Sequence, residues 1–513
     1  MTAAGGPLCG LVLRLCEQVE GRFPDGPART AVREVAARLA EPTLRIAVGG
    51  RLNAGKSTLV NVLLGRRLAA TDATECTRVV TWFRHAERDR IEVAPRDGGP
   101  YELPLGPGGI PADLGLPYPR IASVTVHTRN DVLRGRHTVV DTPGLDSPTG
   151  LDGDSLAALR QADALVYVMP LPGKGDEEAL AAFRAALSRS GLSVVNAVGV
   201  LSRIDELGTG KGDPWPEATR IAAGYEARLR ALLSGVVPVV GMLAQATLAD
   251  GLTDEDARWL RDLARAAPAN ERRYLLSSLD DLLGWRDCPV SAEARRRLWR
   301  LLGGYGLRES LALIDAGTAG RSALAAALWR RSGVDGLFEA IRHRFVAGAD
   351  GLRANAAVAA LDRVGWDATT AAERTAVATL RAGLTRVRAE PAMRRAELAA
   401  SLSATVASGA NIPPELEDDV LALLNDTGAS GMAGAAVPRG AAADRRAGGR
   451  ARSGRDRPAA AGTRGALGTG SGRFATSARI ARLKRAEASF SQATARLARL
   501  AREMCESTLY RGR

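Results

Sequence analysis

Residues 44–58, LRIAVGGRLNAGKST, decide how this chain folds. The apolar run that opens the stretch predicts a buried strand, and the apolar residues at helical spacing beyond residue 58 predict a helix. Between them, residues 50–57 match the pattern G-x-x-x-x-G-K-[ST]. Because a strand precedes this pattern and a helix follows it, we interpret it as a phosphate-binding loop rather than an ordinary glycine turn.

Such a loop presents backbone amides, a helix N-terminus and one ammonium group to a triphosphate. Lys56 is predicted to reach the β- and γ-phosphates, and the Ser57 hydroxyl is predicted to bind Mg²⁺. Only four of the 70 basic residues are lysines, so the compact ammonium at this position is a selective feature of the loop. The predicted nucleotide-binding residues here are Gly50, Asn53, Ala54, Gly55, Lys56, Ser57 and Thr58.

Two later segments are predicted to meet this loop. The polar loop 71–77 leads into a β-rich run, and its Thr77 is the candidate second Mg²⁺ ligand of a switch over the γ-phosphate. Residues 137–145, HTVVDTPGL, predict a buried strand that ends at Asp141. Asp141 would hold Mg²⁺ through water, and the Gly144 amide would contact the γ-phosphate of GTP and release it in GDP.

A third segment is predicted to recognise the base of the nucleotide. Strands are predicted at 164–169 and 192–201, with a helix at 176–187 between them, and Ser202-Arg203-Ile204-Asp205 follows the second strand. This is the side of an open α/β sheet where ligands bind. A carboxylate there accepts both guanine N1–H and N2–H₂, so Asp205 is predicted to select guanine. Alternatively, Ile204-Asp205-Glu206 caps a helix.

Composition limits the remaining possibilities. A chain of 513 residues is expected to hold more than one domain. Five cysteines without C-x-x-C spacing indicate neither a disulfide framework nor a zinc site and suit a reducing cytosol, and no N-terminal signal is predicted. The net charge of +13 lies in residues 428–513, with 18 basic and 5 acidic residues, so the other 52 basic and 52 acidic residues balance.

Helices are predicted on both sides of the nucleotide-binding region. Residues 7–20 and 28–40 precede the first strand, and the pattern is helical from 252 to 426. Residues 335–364, with Ser332 as cap, predict one helix of about 45 Å, which favours a stalk over a plain bundle. A second long helical run covers 371–406. The uncharged stretch 231–249 approaches a membrane span in length, but Pro238 and the need for a last strand at 236–241 favour a buried strand.

The C-terminal region divides into a linker and a basic helix. Residues 428–473 are rich in Gly, Ala and Arg and lack the apolar surface needed to order themselves. Beyond them, a heptad seam runs from Leu483 to Met504 with arginines on the other face. Three interpretations stay open: a helix docked on the helical body, a helix on an anionic membrane, or a nucleic-acid contact. The last is disfavoured because no aromatic residues are interleaved with the arginines.

These motifs resemble the dynamin superfamily, specifically the bacterial dynamin-like proteins of the actinobacterial, isoniazid-inducible type. The similarity is carried by NAGKSTLVNVLLG, ATECTRVVT, DTPGL and SRID, in this order, within residues 45–245. It implies an α/β phosphate-loop GTPase domain, with a mostly parallel sheet and helices on both faces, plus an α-helical bundle or stalk.

Residue by residue, the resemblance gives Lys56, Ser57, Thr77, Asp141, Gly144 and Asp205 the roles stated above. Two departures stand out. Ser202-Arg203 replaces the usual N/T-K pair, where the hydroxyl imitates threonine and the arginine stem covers the base. Leu52 stands where some dynamins carry a water-orienting glutamine. The loop 172–176, with Lys174, lies where a contact between paired GTPase domains would form.

The resulting expectation is a Mg²⁺-dependent, dynamin-like enzyme that hydrolyses GTP to GDP, dimerises through its GTPase domain and remodels membranes. It would be cytoplasmic and peripherally associated with the anionic inner face of the cell membrane, with a paralogous dynamin-like partner possible. The alternatives are a ribosome- or RNA-associated regulatory GTPase and a low-activity structural partner of a paralogue. The predicted domains are 1–42, N-terminal helices; 43–250, GTPase domain; 251–427, helical bundle or stalk; 428–473, linker; and 474–513, basic helix.

Overall fold

The computed structural model forms two compact units, Met1–Gly409 and Ala410–Arg513. Structure is described for residues 6–41, 43–51, 53–69, 79–106, 108–134, 137–143, 158, 161–170, 197–207, 212–229, 233–346, 348–364, 370–407, 410–425, 479–488 and 491–511. Leu52, Thr77, Gly144, the helix predicted at 176–187, the loop 172–176 and the linker 428–473 lie outside these ranges.

Within the described residues, nine strands form one sheet in the order β4-β3-β5-β2-β6-β1-β7-β8-β9. The central and right-hand strands β6, β1, β7, β8 and β9 are mutually parallel, whereas β3 and β4 extend the other edge as an antiparallel hairpin. The strands are β1 (Leu44–Gly50), β2 (Thr81–His85), β3 (Arg90–Pro95), β4 (Tyr101–Leu103), β5 (Ile121–Thr128), β6 (His137–Asp141), β7 (Ala164–Met169), β8 (Ala197–Leu201) and β9 (Val236–Pro238).

Among its described residues, the first unit also contains fourteen α-helices of six residues or more. They are α1 (Pro7–Glu20), α2 (Pro27–Ala40), α3 (Lys56–Leu64), α4 (Trp215–Leu229), α5 (Gly241–Ala246), α6 (Asp254–Ala266), α7 (Ala269–Leu275), α8 (Leu279–Gly284), α9 (Ala292–Asp315), α10 (Arg321–Arg331), α11 (Val334–Ile341), α12 (Ala349–Asp362), α13 (Ala371–Ala389) and α14 (Pro391–Ala407).

Each face of the sheet has its own core, because successive side chains of a strand point in opposite directions. On β7, Leu165 and Tyr167 belong to the core that α4, α6, α8, α9 and α10 cover. Val166 and Val168 belong to the opposite core, which α3 and α11 cover. Strands buried on both faces read as continuous apolar runs, as 164–169 does. In 44–48 the run is interrupted only by Arg45, which pairs with Glu41 at 2.7 Å. The predicted α/β fold with helices on both faces is confirmed.

The N-terminal helices pack away from the sheet, on the helices that follow it. α1 and α2 share an apolar core with α12 and α13. Asp350 of α12 accepts hydrogen bonds from the Leu8 and Cys9 amides at 2.9 and 2.8 Å, which caps the start of α1. Arg353, also on α12, donates to the Arg38 carbonyl at 2.8 Å near the end of α2. A four-helix bundle is therefore assembled from both ends of the first unit.

The single 45 Å helix predicted over 335–364 is wrong. That stretch contains α11, a π-helical turn at Arg342–Val346 and then α12. Gly333, in the left-handed conformation at φ 74°, is the residue that precedes α11, while Ser332 ends α10. Phe345 is buried against the sheet, whereas α12 packs in the bundle, so the chain must change direction between them. The structure therefore contains a bundle here and not a straight stalk.

Two other long elements are also interrupted. The run predicted over 371–406 divides at Glu390, because Pro391 cannot donate the backbone hydrogen bond that would continue α13. The last strand, predicted to reach Gly241, ends at Pro238, and α5 begins at Gly241. The stretch 231–249 thus contains a strand and a short helix, and no helix among the described residues is long and apolar enough to cross a bilayer.

The second unit contains α15 (Pro414–Asn425), α16 (479–488) and α17 (Gln492–Arg511). One continuous basic helix was expected over 474–513, but Ser491 is non-helical, and Glu487 bonds both Arg499 and Arg502. Residues 487 and 502 would lie about 22 Å apart along one straight helix. α16 and α17 therefore form an antiparallel pair. The predicted domain boundaries remain a prediction.

Candidate functional site

The loop after β1 has the backbone that the glycine pattern predicts. Gly50, Asn53 and Gly55 have φ values of 147°, 59° and 93°, a region that favours glycine or asparagine. A Cβ on Gly50 would lie 2.3 Å from the Val168 carbonyl oxygen of the neighbouring strand, so only glycine fits there. The loop turns tightly between β1 and α3, and its amides precede the helix N-terminus that opens at Lys56.

Lys56 and Ser57 are the first residues of α3, and both are buried, with 6% and 8% of their surface exposed. The Lys56 ammonium donates to the Arg51 carbonyl at 2.8 Å and so folds back over the loop. A buried ammonium ion is costly unless it has an anionic partner or ligand. Its position above the loop is suited to a phosphate group.

Ser57 and Asp141 are brought together from α3 and the end of β6. The Ser57 hydroxyl donates to Asp141 Oδ2 at 3.1 Å, and the buried Oδ1 has no hydrogen-bond partner among the described residues. Burial raises the pKa of Asp141 to about 6, against the opposing effects of Lys56 and the Ser57 hydrogen bond. A hydroxyl beside a carboxylate with an unpartnered oxygen is a donor set suited to Mg²⁺. The residues present therefore fit that ion.

Two further polar side chains hold the chain segments beside the site in place. The sequence patterns did not identify either of them. Thr142, directly after Asp141, donates its hydroxyl to the Val48 carbonyl at 2.9 Å. Asn61 on α3 is fully buried and accepts from the Leu68 and Ala69 amides, both at 2.8 Å. The chain is thus anchored just before residues 70–78 and at the start of the D-T-P-G segment. An asparagine inside an apolar helix was the available signal for the first anchor.

Ser202 joins the base-recognition segment to the phosphate loop. Its buried hydroxyl lies 2.7 Å from the Ala54 carbonyl and 3.0 Å from the Met169 carbonyl. A hydroxyl that is shared between these two carbonyls holds the loop at the end of β7. Its observed contacts are with backbone, so a direct contact with nucleotide stays a prediction.

Arg203 and Asp205 lie at the same edge of the sheet. Arg203 has a positive φ of 55°, which is uncommon for a residue with a side chain, and its exposed guanidinium pairs with Glu206 at 3.3 Å. Asp205 lies in the short 3₁₀ turn Ile204–Glu206, half-buried. Burial raises its pKa, and the charges of Arg203 and Arg308 act in the opposite direction.

The remaining predicted residues are placed as follows. Thr58 is half-buried on α3, facing Gly241 of α5, whose added Cβ would lie 3.4 Å from the threonine methyl. Thr77 and Gly144 lie outside the described residues, so their roles stay predictions. The structure gathers the phosphate loop, Asp141 and the 202–205 segment at the carboxyl ends of the parallel strands, where open α/β sheets bind ligands.

A phosphate-loop GTPase domain is the class of protein that this sheet, loop and base-recognition segment define. Comparison with known proteins agrees, since a family model described as "50S ribosome-binding GTPase" matches residues 45–197, under a third of the chain.

Two proteins of similar sequence identify the family of this chain. Isoniazid-induced protein IniC of Mycobacterium tuberculosis is 34% identical over 342 residues, which cover 64% of this chain and 68% of that protein. The bacterial dynamin-like protein of Nostoc punctiforme is 25% identical over 144 residues, which cover 26% of this chain and 21% of that one. The chain therefore belongs to the IniC family of bacterial dynamin-like GTPases and hydrolyses GTP.

Solved structures overlap only in part. A structure described as an oligomerised bacterial dynamin pair is 16% identical and covers 53% of this chain and 46% of its own, with a TM-score of 0.34.

Proposed function

We propose that this GTPase self-assembles through its GTPase domain and acts, as a peripheral protein, at the anionic inner face of the cell membrane. Membership of the bacterial dynamin-like family supports the proposal. The observation that carries its chemical part is the Ser57–Asp141 contact beside the buried Lys56, with Asp141 Oδ1 unpartnered. These are the groups that a nucleoside triphosphate and its metal ion require.

Each residue of the site would have a separate role in binding and hydrolysing GTP. The loop amides and Lys56 bind and orient the β- and γ-phosphates, and Lys56 offsets the negative charge that develops as water attacks the γ-phosphorus. Ser57 and Asp141, with Thr77, would hold Mg²⁺. When bound, that ion neutralises charge on the phosphate oxygens. Gly144 would contact the γ-phosphate through its amide, and Asp205 would accept from the guanine edge.

The membrane part of the proposal involves the second unit. Lys484, Arg485 and Arg496 are exposed on α16 and α17, and each cation near an anionic surface contributes about 1 kcal/mol. Arg479 and Arg482 pair with Asp419, Arg499 and Arg502 pair with Glu487, and Lys484 and Arg502 pair with Glu506. The membrane contact is therefore expected to be weak, dependent on anionic lipid and sensitive to salt.

A combined sedimentation and turnover assay tests this proposal. Full-length protein is mixed with vesicles of neutral lipid or with vesicles containing anionic lipid, and both pelleting and phosphate release from GTP are measured. We expect pelleting and faster turnover only with anionic vesicles. Arg485→Glu with Arg496→Glu should reduce both effects, whereas Arg88→Glu with Arg296→Glu, exposed positions in the first unit, should not. Equal pelleting of both double variants would contradict the role of the second unit.

A second function is favoured by one observation, the family model named for a 50S ribosome-binding GTPase. The chain would then bind ribosomal particles through its basic second unit. Co-sedimentation with ribosomes but not with anionic vesicles would select this function. Tight GTP binding without phosphate release would instead indicate a structural partner of a paralogous dynamin-like protein.

A further inference from the structure

The loop that follows β9 lies between the base-recognition segment and the helix that carries the phosphate loop. The Val239 amide donates to the Leu201 carbonyl at 2.9 Å, and Leu201 is the residue before Ser202. On its other side, a Cβ on Gly241 would lie 3.4 Å from the methyl group of Thr58, in the first turn of α3. The loop after β9 is therefore next to the predicted guanine site.

A turn far along the chain holds this loop in place. The Val240 amide donates to the Ser332 carbonyl at 2.9 Å. Ser332 is fully buried, and its hydroxyl donates to the Trp329 carbonyl at 2.6 Å, so the acceptor is fixed at the end of α10. Residues 332–333, which we call the brace turn, join α10 to α11 and lie beyond the last strand of the sheet.

Gly333, the second residue of the brace turn, lies where only glycine fits. Its φ is 74°, a region that favours glycine. A Cβ there would lie 2.3 Å from Cη2 of Trp215 and 2.8 Å from the carbonyl oxygen of Pro238, at the end of β9. Trp215 begins α4, and its indole N–H donates to the Tyr305 hydroxyl at 3.1 Å. The brace turn therefore contacts both the loop after β9 and the start of α4.

We propose that the brace turn is a positioning element for guanine recognition, and that Gly333 is the residue on which it depends. The loop that the turn holds is bonded to the residue before the segment 202–205, and α4, which the turn contacts through Trp215, follows that segment. Both ends of the base-recognition segment are thus held by one turn outside the sheet. The proposal rests on the proposed role of Asp205.

This arrangement separates binding of the base from the chemistry at the phosphates. A displaced brace turn would weaken contacts with the guanine edge, whereas Lys56, Ser57 and Asp141 belong to α3 and β6. We therefore expect a loss of affinity and of base selectivity with little loss of the maximal rate. A merely structural role predicts less folded protein instead, which gives a lower binding stoichiometry at an unchanged dissociation constant.

Calorimetric titration of the full-length protein with GDP and with IDP, in the presence of Mg²⁺, tests the proposal. IDP lacks the N2 amine that Asp205 would recognise, so the ratio of the two dissociation constants measures base recognition. We expect Gly333→Ala to bind GDP about tenfold more weakly, with a reduced preference for GDP over IDP, and to hydrolyse saturating GTP within about twofold of the wild-type rate. Gly317→Ala is the matched control and should bind as wild type does, because its φ is 92° and nothing lies within 4 Å of an added Cβ.

Tyr305→Phe is a milder test, because it keeps the ring and removes only the acceptor of the Trp215 N–H. GDP affinity should fall about threefold, and this variant replaces Gly333→Ala if the latter does not fold. Unchanged dissociation constants in the folded variants, or equal weakening of GDP and IDP, would overturn the proposal.

Asp205→Asn tests the premise separately, because an amide can donate to the oxygen that xanthine carries in place of the guanine N2 amine. If that variant does not shift preference from guanine to xanthine nucleotides, the role of Asp205 is wrong, whatever the brace turn does.

Discussion

The phosphate end of the nucleotide cleft buries its two charged side chains, Lys56 and Asp141, whereas the second unit holds many charges and leaves most of them at its surface. Lys56 is 6% exposed, and Asp141 Oδ1 is buried without a partner among the described residues. In the second unit Arg499 is 59% exposed and already pairs with Glu487. The difference teaches that the phosphate site is distinguished by the burial of its few charged groups, and not by the number of charges.

The largest expected effect is at Asp141. Asp141→Asn keeps the shape of the side chain but removes the charge beside Lys56 and Ser57. We expect GTP turnover to fall about a thousandfold, because an electrostatic group of the reaction centre is lost. Phosphate release at saturating GTP, with Mg²⁺ varied, measures it. Asp97→Asn, at an exposed hairpin position, is the control and should keep full turnover.

A smaller effect is expected at Ser202, the buried residue that joins the base-recognition segment to the phosphate loop. Ser202→Val leaves the Ala54 and Met169 carbonyls without this donor, so GDP affinity should fall about tenfold and stability by about 1 kcal/mol. Ser202→Thr keeps the hydroxyl and should retain most of both. Calorimetric titration and thermal denaturation give the two values. Unchanged GDP affinity in the valine variant would show that the link does not position the loop.

In the second unit, the equivalent loss of a buried carboxylate should affect stability and not chemistry. Asp419 is 6% exposed and bonds Arg479 and Arg482, which are themselves about a third exposed. Asp419→Asn should destabilise this unit by about 1 kcal/mol, since partly exposed ion pairs contribute little. Urea denaturation and phosphate release are compared. A large fall in turnover would show that Asp419 affects catalysis as well as stability, which contradicts the contrast between the two regions.

The smallest effect is predicted at Glu487, which neutralises Arg499 and Arg502. Glu487→Gln removes one negative charge beside Arg499 and Arg502, while Arg502 keeps its pair with Glu506. Binding to anionic vesicles should therefore rise about fivefold at low salt and return to the wild-type value at high salt. Stability should change by a few tenths of a kcal/mol. Sedimentation at two salt concentrations measures the binding. No change in binding would mean that these arginines do not face the membrane.

The fold and the site were predictable to different extents. Strand and helix predictions around the phosphate loop succeeded because short apolar runs, glycines and G-K-S leave few alternatives: β7 and α1 match their predicted bounds. The cleft residues Lys56, Ser57 and Asp141 do meet. Thr142 and Asn61 were missed, since a threonine or asparagine that satisfies backbone groups looks like any polar residue in sequence.

The helical regions were less predictable, because periodicity continues across a change of direction. Leu337, Ile341 and Phe345 follow helical steps toward α12, yet they face the sheet while α12 faces the bundle. The seam through Leu483 and Leu497 likewise spans two antiparallel helices. Pro391 was a readable signal that the prediction passed over. Which partner each helix face contacts depends on residues far away in the chain.

Calorimetric titration of the full-length protein with GDP in the presence of Mg²⁺, beside Lys56→Ala, tests the central claim most directly. The account predicts one GDP bound per chain and at least about a hundredfold weaker uptake in the variant, because the buried ammonium is the main cation at the phosphates. Uptake of equal strength by both proteins, or no uptake by either, would contradict the assignment of this loop as the nucleotide site.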